Sequence, residues 1–194
     1  MGVPRPWVIL AILSVPGAAW GSDHQFEAFV APSYVNTDGS SIELLGWHVA
    51  GAAAVGEHHP WLSIVADVSV HFDSLNDETR KERTEVTFLA GPRFTVKKGH
   101  ALRNVFAHVI ILGAVHYADA EGAPTFTDGA WAIGAGYDRV LGSEENWGAR
   151  IQLDYIRPWS GDQGASGRSW RLSAGMVYRF PFEHPPAAAD PQTK

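Results

Sequence analysis

Along much of the chain, apolar and polar residues alternate one by one, the period of a strand with one greasy and one polar side. Residues 169–180 show it most clearly. Trp170, Leu172, Ala174, Met176, Tyr178 and Phe180 share one face; Arg171, Ser173, Gly175 and Arg179 share the other, with Val177 as the apolar exception. In residues 84–97, Val86, Phe88, Ala90, Phe94 and Val96 oppose Glu85, Thr87, Gly91, Arg93, Thr95 and Lys97. In residues 61–73, Leu62, Ile64, Ala66, Val68, Val70 and Phe72 oppose Ser63, Asp67, Ser69 and His71. Residues 148–156 set Ala149, Ile151, Leu153 and Tyr155 against Arg150, Gln152 and Asp154. Residues 130–140 set Trp131, Ile133, Ala135 and Tyr137 against Gly134, Gly136 and Asp138. Weaker candidates are 25–35, 42–55 and 104–117; the last is apolar on both faces, which leaves its facing open.

These segments predict eight strands of roughly ten residues, the length a tilted strand needs to cross a bilayer. Short turns at 56–60, 98–102 and 142–146 alternate with longer connections at 36–41, 74–83, 120–128 and 160–168. An even strand number with both chain ends beside the short turns predicts an all-β, eight-stranded antiparallel up-and-down transmembrane β-barrel. Closure also removes the sheet edges that lipid would not tolerate. A soluble lipocalin-like barrel shows the same alternation with its apolar face turned inward. Two features favour the membrane form. The polar face is rich in glycine, small residues and charges of both signs, as a tight lumen requires. Aromatics stand near segment ends (Trp61, Phe72, Trp131, Tyr137, Trp147, Tyr155, Trp170, Tyr178 and Phe180), where they would form interfacial girdles.

Composition sharpens this picture. The 20 glycines call for many turns or close strand contacts, and 8 tryptophans suit a membrane–water boundary. A formal net charge of −6 argues against nucleic acid as a partner. Absence of cysteine excludes disulfides, thiolate metal sites and a cysteine nucleophile. At the N-terminus, Arg5, the apolar run 7–15 and the small residues of 16–22 follow the order of a secretory signal peptide. Nine apolar residues are too few to span a bilayer as a helix, which needs about 20. The expected organisation is a signal peptide over 1–21, a barrel over 22–180 and a short disordered periplasmic tail over 181–194, giving residence in the outer membrane. Outer-membrane lipids are the first expected partner, and a monomer is expected.

Ser173, Gly175, Tyr178 and Phe180 fit the polar-x-Gly-x-x-aromatic-x-aromatic pattern that outer-membrane barrels present to the barrel assembly machinery. Residues 24–180 resemble small OmpA-like outer-membrane β-barrel proteins. The stretch 87–94 is similar to their fourth-strand motif, and 171–175 to their final-strand entry. The resemblance implies fold and location, and the assembly machinery as a partner; many such relatives have no assigned activity. One departure is that the terminal aromatic is followed by 181–194, a tail too short for a peptidoglycan-binding domain.

Parity places Glu27, Asp67, Glu85, Arg93, Arg150, Asp154, Arg171 and Arg179 on the interior face, four acids and four bases that can pair completely. An eight-stranded barrel leaves an interior just wide enough for side chains to fill it. The leading expectation is a neutralised polar plug in a non-enzymatic barrel, with a structural or surface-contact role and no cofactor. The alternative is a narrow gated pore whose ion pairs exchange. Asp67, Ser69 and His71 share a strand face and invite a hydrolase reading, with His48 or His108 as partners from another strand. Residues two apart on a strand stand about 6.5–7 Å apart, too far for a triad's hydrogen bonds. No G-x-S-x-G elbow is present. His58 and His59 lie in a turn, with His24 and His100 expected on the same side, but they lack a recognised ligand spacing, so no metal site is expected. The charged loop 74–83 is the candidate for a surface partner.

Overall fold

A computed structural model describes residues 26–37, 42–55, 59, 61–73, 83–96, 105–119, 126–142, 146–159 and 168–180. The expected signal peptide and tail lie outside the described residues. The strands are β1 (Phe26–Thr37), β2 (Ile42–Ala54), β3 (Leu62–Asp73), β4 (Arg83–Val96), β5 (Val105–Ile110), β6 (Leu112–Asp119), β7 (Phe126–Leu141), β8 (Trp147–Pro158) and β9 (Ser169–Phe180). Each pairs antiparallel with its neighbours in the wall, and β9 returns to β1 from Phe26 opposite Phe180 to Thr37 opposite Ser169. The sheet is therefore a closed barrel. β5 and β6 are two halves of one wall strand, since both pair with β4 and both with β7. That leaves eight spans.

The break at Ile111 has a definite geometry. Arg93 of β4 faces His108 and Ala90 faces Leu112, so three steps on β4 meet four on the partner. The same offset recurs against β7, from Ala132 opposite Ile110 to Gly129 opposite Ala114. One extra residue opposite a regular strand is a β-bulge, and it shifts the facing of everything beyond it. Phe106, His108 and Ile110 point inward before the bulge; Ile111 and Leu112 then both point outward, and Val115 takes the interior. The single strand expected at 104–117 is thus corrected to two halves of opposite parity. Its apolar character on both faces was the trace of that switch.

The greasy face is the outer one. Leu45, Trp47, Val49, Ile64, Val109, Ile133, Ile151, Leu153, Leu172 and Met176 are all exposed around the barrel. That is the reverse of a soluble lipocalin-like barrel, so that alternative does not fit. Aromatic rings gather at the two ends of the wall. At one end Phe26 lies 5.6 Å from Phe180, Tyr178 lies 4.6 Å from Phe180 and 4.7 Å from Trp147, and Trp61 stacks on Phe94 at 6.0 Å. At the other, Tyr155 sits between Trp131 at 5.8 Å and Trp170 at 5.0 Å. Aromatic clusters at both ends of an apolar band match the two interfaces of a bilayer.

The interior is mixed rather than polar throughout. Phe29, Val35, Leu44, Ile110, Val115 and Ile156 are fully buried beside the charged groups. Strands of 12 to 16 residues in the longer spans also exceed the expected length; β7 begins at Phe126, inside the stretch expected as loop. After β7 the chain turns at Gly142, whose φ of 82° lies in the left-handed region that glycine adopts without strain.

Candidate functional site: a layered interior charge network

The alternation that turns apolar side chains to lipid turns the charged ones to the axis, where every ion must find a partner or leave a large desolvation cost unmet. They meet in layers. Toward the Phe26 and Phe180 end, Glu27 of β1 accepts from Arg93 of β4 and, at 2.6 Å, from Arg150 of β8. Arg150 grips Asp138 of β7 with Nε and Nη2, both at 2.7 Å, and Arg179 of β9 donates to the same carboxylate at 2.7 Å. Two carboxylates thus serve three guanidiniums, with short charge-assisted bonds.

Two buried rings lie against this layer. The Arg150 guanidinium stands 5.1 Å from the Phe29 centroid and 4.6 Å from that of Phe106, and Arg93 stands 5.1 Å from Phe106. A cation over an aromatic face is attracted to it, more so when dry. The same rings touch the next layer. Phe29 meets His48 edge-on at 5.2 Å, and Phe106 stacks on His108 at 6.1 Å.

Arg171 of β9 is the hub of that second layer and has no solvent exposure. It donates through Nη2 to Asp67 of β3 and to Asp154 of β8, both at 2.8 Å. Its Nε reaches Asp154 at 2.9 Å, and its Nη1 reaches Ser69 at 2.9 Å. Gln152 donates to both Asp154 oxygens, at 3.0 and 3.2 Å. His108 Nε2 lies 2.8 Å from Asp154, and His48 Nε2 lies 3.5 Å from Asp67. Gly134 makes this crowding feasible. A Cβ there would lie 2.1 Å from the Asp154 Oδ1 and 2.5 Å from His108 Nε2, closer than any side chain tolerates. Elsewhere in the interior, Ser33 and His71 are hydrogen bonded at 2.6 Å, and Thr87 Oγ1 donates to Glu85 at 3.5 Å.

Of the eight charged residues singled out from sequence, seven are buried and Arg179 is partly buried. They do not form one set. Glu27, Arg93, Arg150 and Arg179 share the first layer; Asp67, Asp154 and Arg171 share the second; Glu85 accepts from Thr87. Asp138 is the member that the sequence set lacked, although its parity already placed it on the polar face. His48, His71 and His108 are buried members that earlier entered only as candidates for hydrolysis.

On β9, Ser173 bonds His48 at 3.0 Å, and Gly175 lies so near the β1 backbone that a Cβ would stand 2.1 Å from the Val30 oxygen. Tyr178 and Phe180 belong to the aromatic end cluster. Asp67, Ser69 and His71 do not form the relay that a hydrolase needs. Ser69 accepts from Arg171, and His71 bonds Ser33. Ser173, His48 and Asp67 do line up, but all three are buried in the packed interior, where no lipid ester can approach. His59 is exposed against Trp61, at 5.7 Å, while His24, His58 and His100 lie outside the described residues. Among the described residues no group of three His, Asp or Glu is placed to hold a metal ion.

A closed eight-span antiparallel barrel with a lipid-facing apolar exterior and a packed, ion-paired interior defines an outer-membrane β-barrel. The solved structures it is similar to have that fold. Neisserial surface protein A (NspA) matches at 13% identity and a TM-score of 0.60, over 82% of this chain and 98% of that one. OprG from Pseudomonas aeruginosa matches at 8% identity and 0.57, over 83% and 98%. Ail, the attachment invasion locus protein of Yersinia pestis, in complex with the heparin analogue sucrose octasulfate, matches at 13% identity and 0.52, over 81% and 98%. No family model matches the sequence, and no curated protein does.

Proposed function

We propose that this chain is a closed, non-enzymatic outer-membrane barrel that reinforces the membrane and carries its longer connections as contact surfaces. The observation that supports the reading is the Arg171 hub. A guanidinium bound to two carboxylates from opposite parts of the wall, all without meaningful solvent access, occupies the axis where a channel would need water. Export through residues 1–21 and delivery to the assembly machinery through the Ser173–Phe180 pattern belong to the same proposal, as does kinship with small OmpA-like barrels. The motifs at 87–94 and 171–175 support that kinship.

The test is conductance of the purified barrel in planar bilayers. A silent membrane is the expected result, and steady single-channel steps from the parent protein would sink the proposal. One observation favours a second reading, the narrow gated pore. Glu27 is shared by Arg93 and Arg150, and Asp138 by Arg150 and Arg179, so partners in the first layer can exchange without leaving a charge bare. That reading requires intermittent openings whose frequency changes in Arg179→Gln, a change the closed-barrel reading does not produce.

A further inference from the structure

The outer surface carries one basic pair that the interior network does not use. On β8 the outward residues run Ile151, Leu153, Tyr155, Arg157, so Arg157 is the first polar side chain beyond the aromatic end cluster. The β8–β9 register ends with Tyr155 opposite Trp170 and Ile156 opposite Ser169. Arg168 stands just before β9, is exposed, and alternates onto the same outer face as Trp170. On the other flank, Arg157 is paired with Trp131 of β7. Trp159 is exposed and lies over Gly129, where a Cβ would meet its ring at 2.9 Å.

Among the described residues, neither guanidinium makes an ion pair or hydrogen bond. The interior Arg93, Arg150, Arg171 and Arg179, by contrast, are each paired. Two guanidiniums with no ionic partner among the described residues, just beyond the aromatic cluster, stand at headgroup depth, where phosphate is the abundant anion. Guanidinium donors match phosphate oxygens in bidentate fashion, and the tryptophan and tyrosine rings offer an apolar bed for the adjoining chains.

We infer that Arg157 and Arg168, floored by Trp131, Tyr155 and Trp170, form an outward-facing site for the phosphate of a membrane glycolipid headgroup. The experiment uses the full barrel refolded in zwitterionic detergent and native mass spectrometry, with diphosphorylated lipid A as the probe. Its dephosphorylated form and inorganic phosphate serve as comparisons. The parent should retain one diphosphorylated lipid, and Arg157→Gln/Arg168→Gln should weaken retention by tenfold or more. Arg157→Lys/Arg168→Lys should keep much of it. Arg139→Gln removes an exposed outward arginine at the other end of the wall and should change nothing. A heat-dependent gel shift checks that each variant is folded, which substitution of exposed residues should preserve. Equal retention by parent and double glutamine variant overturns the site. So does equal retention of the dephosphorylated lipid, or displacement of the lipid by inorganic phosphate at matching concentration, which would reduce the pair to a free-anion site.

Discussion

Replacing Arg171 by leucine removes the one cation shared by Asp67 and Asp154. The residue donates to Asp67 through Nη1 and Nη2, to Asp154 through Nε and Nη2, and to Ser69 through Nη1. Both carboxylates are buried, and Asp154 has no exposure at all. After the change each keeps only weaker company, Gln152 and His108 for Asp154 and His48 for Asp67. Removing one partner of a buried pair typically costs 3–5 kcal/mol, and here two acids are stranded, so about 5 kcal/mol is expected. For a chain of this length, 1 kcal/mol corresponds to roughly 2–4 °C, giving a fall in barrel melting of about 10–20 °C. The assay is the temperature at which the compact band gives way to the unfolded one on gels of detergent-solubilised protein. Adding Asp67→Asn and Asp154→Asn to Arg171→Leu should restore a large part of the loss, because the stranded charges disappear with their partner. Melting within about 2 °C of the parent for Arg171→Leu alone would refute the interior ion-pair account.

Arg93→Ala should lower melting by less, since Glu27 keeps Arg150; a cost of about 1–3 kcal/mol is expected in urea titrations of the vesicle-inserted barrel. Gly134→Ala drives a methyl into the Asp154 and His108 contact and should destabilise by about 1–3 kcal/mol in the same titration, whereas the solvent-facing Gly142→Asn should be nearly silent. Deleting Ile111 removes the extra residue while leaving Ile110 inward and Leu112 outward, so the protein should still give a heat-shifted compact band. Release of fatty acid from phospholipid vesicles should be absent in the parent and unchanged by Ser69→Ala or Ser173→Ala, and measurable release lost in either variant would reinstate the hydrolase.

Most strands were legible because their two faces differ. Segments such as 61–73 and 169–180 announce both span and facing, since only one side meets lipid. The weaker ones fail where that contrast fails. β5 and β6 read as uniformly apolar because the bulge passes the inward role from even to odd positions midway, a change no fixed period can express. β1 and β2 carry Phe29, Ala31, Val35, Leu44, Ala50 and Ala52 on their inner faces, which blunts the alternation. The charged residues could be assigned to the interior by parity, but parity does not give height along the axis. The separation of Glu27, Arg93 and Arg150 from Asp67, Asp154 and Arg171 depends on strand stagger, which emerges only when the ring closes. Glycine at 134 was read as a small polar-face residue; the reason for it, room for an imidazole and a carboxylate from two other strands, is a three-dimensional fact.

The closure of β9 on β1 carries a consequence for how the chain relates to its own order. Phe26 and Phe180 are direct partners with rings in contact, so the first and last strands join as any hairpin would. A ring of this kind has no structural beginning. A circular permutant opened between β7 and β8, with a short linker joining 180 to 26, would rebuild every ladder and both interior layers from the same residues. What it would lose is timing, because Glu27 meets Arg150 and Arg179 only once the chain has gone all the way round. Strand order here is a schedule for closing the wall rather than a condition for its standing.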